Sequence, residues 1–134
     1  MNPQDAKDLE IVPIPTLMNT VQQFCRTFAE TPQFKAFEQA NAFLQGDDEA
    51  RAAARAYLSK YGSLRVSIML KSVTDQDNLE LQNLKAAYDQ LPSVVAFADA
   101  DLKLRAISQT IGAMLSLSIG MDLGKNCPPP GACC

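Results

Sequence analysis

The sequence predicts an all-α protein of about five helices, a helical hairpin or bundle with a long C-terminal helix and a flexible cysteine-bearing tail. Three observations predict it. Glycine is scarce, 6 of 134 residues, while alanine, leucine and glutamine are plentiful, which favours helix over sheet. No alternating β-branched run long enough for a strand is bounded by turn signals. Apolar residues recur instead at steps of three and four, in segments that open on a capping residue or a proline. The length suits one domain. It divides into a loose arm at 1–15, a helical body at 16–123 and a tail at 124–134.

The arm is polar and punctuated by Pro13 and Pro15, with Ile11, Val12 and Ile14 able to pin its end onto the body. Thr16 suits the N-cap of a first helix whose apolar positions are Leu17, Val21, Phe24 and Phe28. Thr31-Pro32 marks a restart, a cap followed by proline at the first helical position. The second segment carries Phe34, Phe37, Ala40, Phe43 and Leu44 inward and stops at Gly46. Asp47-Asp48 opens the third helix, acidic residues facing the positive helix end. Its stripe is Ala50, Ala53, Ala54, Tyr57, Tyr61, Leu64 and Ile68, flanked by Arg51, Arg55 and Arg65. Those arginines read as a solvated edge or as a contact for a partner or RNA phosphate. Thr74 with Asp77 resembles a capping box at the start of a fourth helix bearing Leu81, Leu84, Tyr88 and Leu91.

Overlaying the halves at an offset of sixty exposes an internal repeat. Val21, Phe24 and Phe28 match Leu81, Leu84 and Tyr88; Pro32 matches Pro92; Ala36-Phe37 matches Ala96-Phe97; Ala40 matches Ala100. Each copy is a helix, a proline restart and a second helix. The last helix, from Pro92 to about Leu123, has two apolar faces at 100° per residue. One gathers Phe97, Ala100, Leu104, Ile107, Ile111, Met114, Leu115 and Ile119. The opposite one gathers Val95, Leu102, Ala106, Ala113 and Leu117, with small residues that permit close helix approach. A helix apolar on two sides must be covered on two sides, so this second face is expected to be an oligomer interface.

Catalysis is hard to build from this sequence. It has no histidine and no glycine-rich phosphate loop. Asp99 and Asp101 lie about 200° apart on a helix, so they cannot act as one pair. Asp101 with Arg105 reads as an intrahelical ion pair. The net charge of −3 is uneven, −5 over residues 1–50 and +2 over 51–134, without the concentrated basic face of a nucleic-acid binder. The polar N-terminus is no signal peptide, and no apolar run approaches a membrane span, so a cytoplasmic location is expected.

Cysteines are the informative set. Cys25, beside Phe24 and Phe28, reads as a small semi-buried core residue. Cys127, Cys133 and Cys134 sit in a tail where Pro128, Pro129 and Pro130 form a stiff spacer and Gly131 allows a turn. Thiolates so placed could ligate an iron–sulfur cluster or zinc, or remain an unbound redox tail. Three ligands are one short of the usual four. A complete site needs another from a second subunit, another protein, or Cys25.

With A-E-T-P-Q-F-K-A-F-E-Q-A-N-A-F-L, D-D-E-A-R-A, L-P-S-V-V-A-F-A-D-A-D-L-K-L, I-G-M-D-L and the cysteine tail in this order, the chain resembles the YlbF/YmcA family (Com_YlbF domain) of bacterial regulators over roughly residues 17–134. The resemblance implies long helices that self-associate or pair with related chains, and a non-enzymatic role. It implies a complex with YmcA-like and YaaT-like partners that binds [4Fe–4S] clusters. That complex influences RNase Y-dependent mRNA processing, and through it competence, sporulation and biofilm formation. Carried to this sequence, the cluster-ligand region is Cys127, Cys133 and Cys134. The departure is in spacing, since the last two are adjacent here.

Overall fold

The computed structural model describes residues 12–123, which form α1 (Ile14–Ala29), α2 (Pro32–Gly46), α3 (Asp48–Met69), α4 (Asp75–Asp89) and α5 (Pro92–Ile119). Among the described residues there is no strand. α1 starts two residues before Thr16, with Pro13 as its cap and Pro15 inside its first turn. Thr16 and Leu17 donate to the Pro13 carbonyl at 3.0 and 3.2 Å. The first helical N–H groups have no intrahelical acceptor, so Pro15 loses nothing there and the helix can begin ahead of it.

Joints between helices follow the capping chemistry closely. Thr31 accepts from the Phe34 amide at 3.3 Å and donates to the Phe28 carbonyl at 2.7 Å. Asp47 alone separates α2 from α3, and its Oδ1 accepts from the Ala50 amide at 3.0 Å. Thr74 caps α4, accepting from the Asp77 amide at 3.1 Å. Asp77 does not complete a capping box to the backbone; its carboxylate accepts from the Thr74 hydroxyl at 2.7 Å instead. α3 ends in a Schellman motif, in which Ser72 donates to the Ser67 carbonyl at 2.8 Å and Lys71 to that of Ile68 at 3.1 Å. Lys71 holds the left-handed position, φ 53°, where glycine is usual. α5 stops at Ile119, short of Leu123, because Gly120 adopts φ 70° and turns the chain out of the helix.

The two halves share their joint in detail. α1 ends at Ala29 and α2 begins at Pro32; α4 ends at Asp89 and α5 begins at Pro92. Glu30, Thr31 and Lys35 donate to the carbonyls of Arg26, Phe28 and Thr31, as Gln90, Leu91 and Val95 donate to those of Ala86, Tyr88 and Leu91. The matched rings Phe37 and Phe97 meet, centroids 5.4 Å apart, where α2 lies on α5. The two helices run in opposite senses, since the C-terminal end of α2 delivers Asp47 to Ser93 at the start of α5.

The core sits at this junction and is small. Ala50, Ser93, Val94 and Ala100 are the buried residues among those described. α3 and α4 form the other close pair, joined by Lys60 to Asp77 at 2.9 Å and to Glu80 at 2.6 Å. At 1.5 Å per residue α5 is about 42 Å long and α2 about 22 Å, so the distal part of α5 outruns its cover.

Candidate interaction surface

The inner face of α5 is covered where α2 reaches it. Phe97, Leu104 and Ile107 are half-buried there, and Ala100 is buried. Further along, Met114, Leu115 and Ile119 are exposed. The outer face is bare over its whole length. Val95, Leu102, Ala106, Ala113 and Leu117 are all exposed, Leu102 at 68 % and Leu117 at 85 %. Ion pairs edge this strip on either side, Lys103 to Asp99 and Arg105 to Asp101, each at 2.7 Å. Charges thus satisfied within the helix leave an apolar lane between them.

Near its end the outer face becomes a groove lined by Ala113, Leu117 and Leu123 together with the polar Gln109, Ser116 and Asp122. The chain folds back there, and Leu123 donates its amide to Ser116 Oγ at 3.2 Å. On the other side of α5, Leu17, Val21 and Phe24 of α1 line a groove with Leu115. These α1 residues read as core in the sequence, yet each is about half exposed. α1 is not among the close neighbours of α5, and no third helix closes the pair.

Cys25 is likewise exposed rather than semi-buried. It lies beside the α1 stripe, which has too little cover to enclose it. Arg51, Arg55 and Arg65 are exposed on α3. Arg51 is held by Asp48 at 2.8 Å and by the Gln45 carbonyl at 2.7 Å. Among the described residues no group of three or more Cys, Asp or Glu side chains is gathered as a metal site. Cys127, Cys133 and Cys134 lie outside the described residues.

One polar contact escaped the sequence reading because its partners are 46 residues apart: Ser93 Oγ donates to Asp47 Oδ2 at 2.5 Å. Ser93 is fully buried, so this bond satisfies a hydroxyl that has lost water. The Ser93 hydroxyl, with the Ala50 amide behind it, holds the Asp47 carboxyl below the usual carboxylate value. The only sequence signal for it was Asp47 as a cap.

Among the described residues, no helix is long and apolar enough to cross a membrane. No curated protein and no solved structure matches this chain. The family described as "Control of competence regulator ComK, YlbF/YmcA" (Com_YlbF) matches residues 17–119. That match begins in the first turn of α1 and stops at the last residue of α5. It takes in the exposed helix faces and leaves out the tail, and it makes this chain a member of the Com_YlbF family of regulators.

Proposed function

We propose that this protein is a non-catalytic regulatory adaptor that works by assembling with a second copy or with a related helical chain. The observation that carries this reading is the bare outer face of α5, exposed from Val95 to Leu117 and flanked around Leu102 by internally paired charges. Such a lane loses water when another helix covers it, and Ala106 and Ala113 let that helix come close. Family membership supports a regulatory role and supplies the candidate partners, YmcA-like and YaaT-like chains acting on RNase Y-dependent RNA processing. The partner-bearing assembly isolated from cells tests this. Leu102→Glu with Leu117→Glu should lower its mass or strip a component from it; a folded variant with unchanged assembly contradicts the reading.

Cys127, Cys133 and Cys134 are proposed to contribute thiolates to an iron–sulfur cluster shared across that assembly. Thiolate donors suit such a cluster, and zinc as well. The donor set is incomplete in one tail, and exposed Cys25 on α1 is the only other thiol of the chain. The missing ligand therefore comes from Cys25 or from a partner. Anaerobic purification with iron, sulfide and zinc analysis separates the alternatives. Stoichiometric iron and sulfide, lost in the Cys127→Ser, Cys133→Ser, Cys134→Ser variant, supports the cluster. Zinc alone, or a metal-free protein whose triple variant behaves normally in cells, removes it.

A further inference from the structure

From Ala50 to Thr74 the chain carries five basic residues, Arg51, Arg55, Lys60, Arg65 and Lys71, and no Asp or Glu. Past its first turn α3 is therefore a basic helix, and its residues divide between two flanks. Lys60 lies on the flank that α4 covers, and there it meets Asp77 and Glu80 at 2.9 and 2.6 Å. Arg51, Arg55, Leu58, Arg65, Val66 and Met69 fall within about 100° of one another on the other side. All six are exposed.

Two observations set this stripe apart from a solvated edge. Its charges are left open by the chain itself. Lys35, Lys60, Lys85, Lys103 and Arg105 each face a carboxylate, and Arg51 is held by Asp48. Arg55 and Arg65 have no ion-pair or hydrogen-bond partner among the described residues. The second observation is that apolar side chains fill the space between the arginines: Leu58, Val66 and Met69, the last 76 % exposed. A lone surface arginine or leucine is ordinary, but the two interleaved on one helix face match an amphipathic partner of opposite charge.

We infer that the outer face of α3 docks an acidic amphipathic helix of a protein partner, its carboxylates on Arg55 and Arg65 and its apolar side chains over Leu58, Val66 and Met69. α4 is the precedent within the molecule. It bears Asp75, Asp77, Glu80 and Asp89 against Lys85 alone, and it packs on the opposite flank of α3 with carboxylates on Lys60. The outer flank has the same chemistry, cations set among apolar side chains, without the acidic helix. Arg55 and Arg65 stand about 15 Å apart along the axis, so carboxylates about ten residues apart on one helix reach both. Each guanidinium can grip a carboxylate through two parallel N–H donors. RNA fits less well. Its affinity is built from many phosphate contacts, whereas this face has Arg51, Arg55 and Arg65 on a chain of net charge −3. No aromatic ring belongs to the stripe to stack a base, and phosphates leave its apolar side chains uncovered. The surface lies apart from the α5 lane and does not rest on the adaptor reading.

Fluorescence anisotropy with the full chain and a labelled synthetic helix tests the assignment. The probe has leucines at every third or fourth position and two glutamates about ten residues apart, and a companion probe has lysines in their place. The acidic probe should bind, and bind more weakly as salt is raised. Arg55→Glu with Arg65→Glu should weaken it by about tenfold or more, and should bind the lysine probe more tightly than the wild type does. A merely structural role for the arginines gives no such reversal. Val66→Ser with Met69→Ser should weaken the acidic probe by about fivefold or more, with helix content by circular dichroism unchanged. Leu102→Glu with Leu117→Glu should bind the acidic probe as the wild type does, so failure here and failure of the adaptor reading are distinguishable. No binding of the acidic probe at about 100 μM overturns the inference, as does equal binding by the charge-reversed protein. So does a single-stranded RNA oligonucleotide that binds the wild type more tightly than the probe and loses that affinity in the charge-reversed protein.

Discussion

At the scale of single residues, Asp47 closes α2, caps α3 and receives the Ser93 hydroxyl from α5, so its protonation acts on three helices together. Asp77 is also held below the usual carboxylate value, by the Lys60 ammonium and then by the Thr74 hydroxyl. A carboxyl with a lowered folded-state pKa adds stability that is complete above its unfolded value, near 3.8, and is lost as pH falls through the folded one. Wild-type resistance to urea should therefore fall as the pH drops below about 4. Asp47→Asn keeps an acceptor for the Ala50 amide, and its Nδ2 can donate to the Ser93 hydroxyl in place of accepting from it, but it does not titrate, so its decline should be shallower. Equal declines in the two proteins would show that Asp47 carries none of the effect. Lys71 offers the opposite case, a lysine in the left-handed region with no Cβ-free alternative nearby. Lys71→Gly should raise unfolding stability by about 1 kcal/mol, while Lys71→Ala should not, as chemical denaturation can measure.

At the scale of elements, the repeat places two prolines so that α1 and α2 meet through the same kind of joint as α4 and α5, and Phe37 meets Phe97 where α2 lies on α5. Truncating either ring should cost about 2 kcal/mol, and the double-mutant cycle should return a coupling of about 1 kcal/mol. A coupling near zero would mean that the rings are only adjacent. Local chemistry was legible in the sequence: Thr31-Pro32, Asp47, Thr74 and Pro92 each mark a helix start that depends on near neighbours alone. Burial was less so, because it depends on what lies opposite. Phe24 and Cys25 read as core, but α1 is not among the close neighbours of α5, and little covers its stripe. The Ser93 to Asp47 bond was invisible for the same reason, being a product of how α5 returns to α2. Thr16 suits an N-cap by residue type, yet α1 starts at Ile14, because Pro15 is tolerated in a first turn.

At the scale of the whole molecule, what one chain buries is little against what it leaves exposed. Among the described residues three apolar side chains are buried, while Leu17, Phe24, Leu102, Leu115 and Leu117 stand exposed. Conformational entropy must be offset by burial, and a core this small offers little of it. The apolar surface that is missing from the core lies on α1 and α5, where other helices can cover it. On the proposed reading this ties the fold to the regulatory role, since a partner helix on these open faces would add the burial that one chain lacks. The candidate interaction faces were partly legible as two apolar sides of one helix, whereas the order in which α2 and α1 cover them was not. A chain finished by a partner helix should not stay monomeric. The mass of the purified protein in solution, by sedimentation equilibrium over a wide concentration range, tests this most directly. The expected result is a concentration-dependent multiple of the 14.6 kDa chain, with melting temperature rising as the multiple fills. A cooperatively folded 14.6 kDa monomer at every concentration, its melting temperature constant, would contradict it.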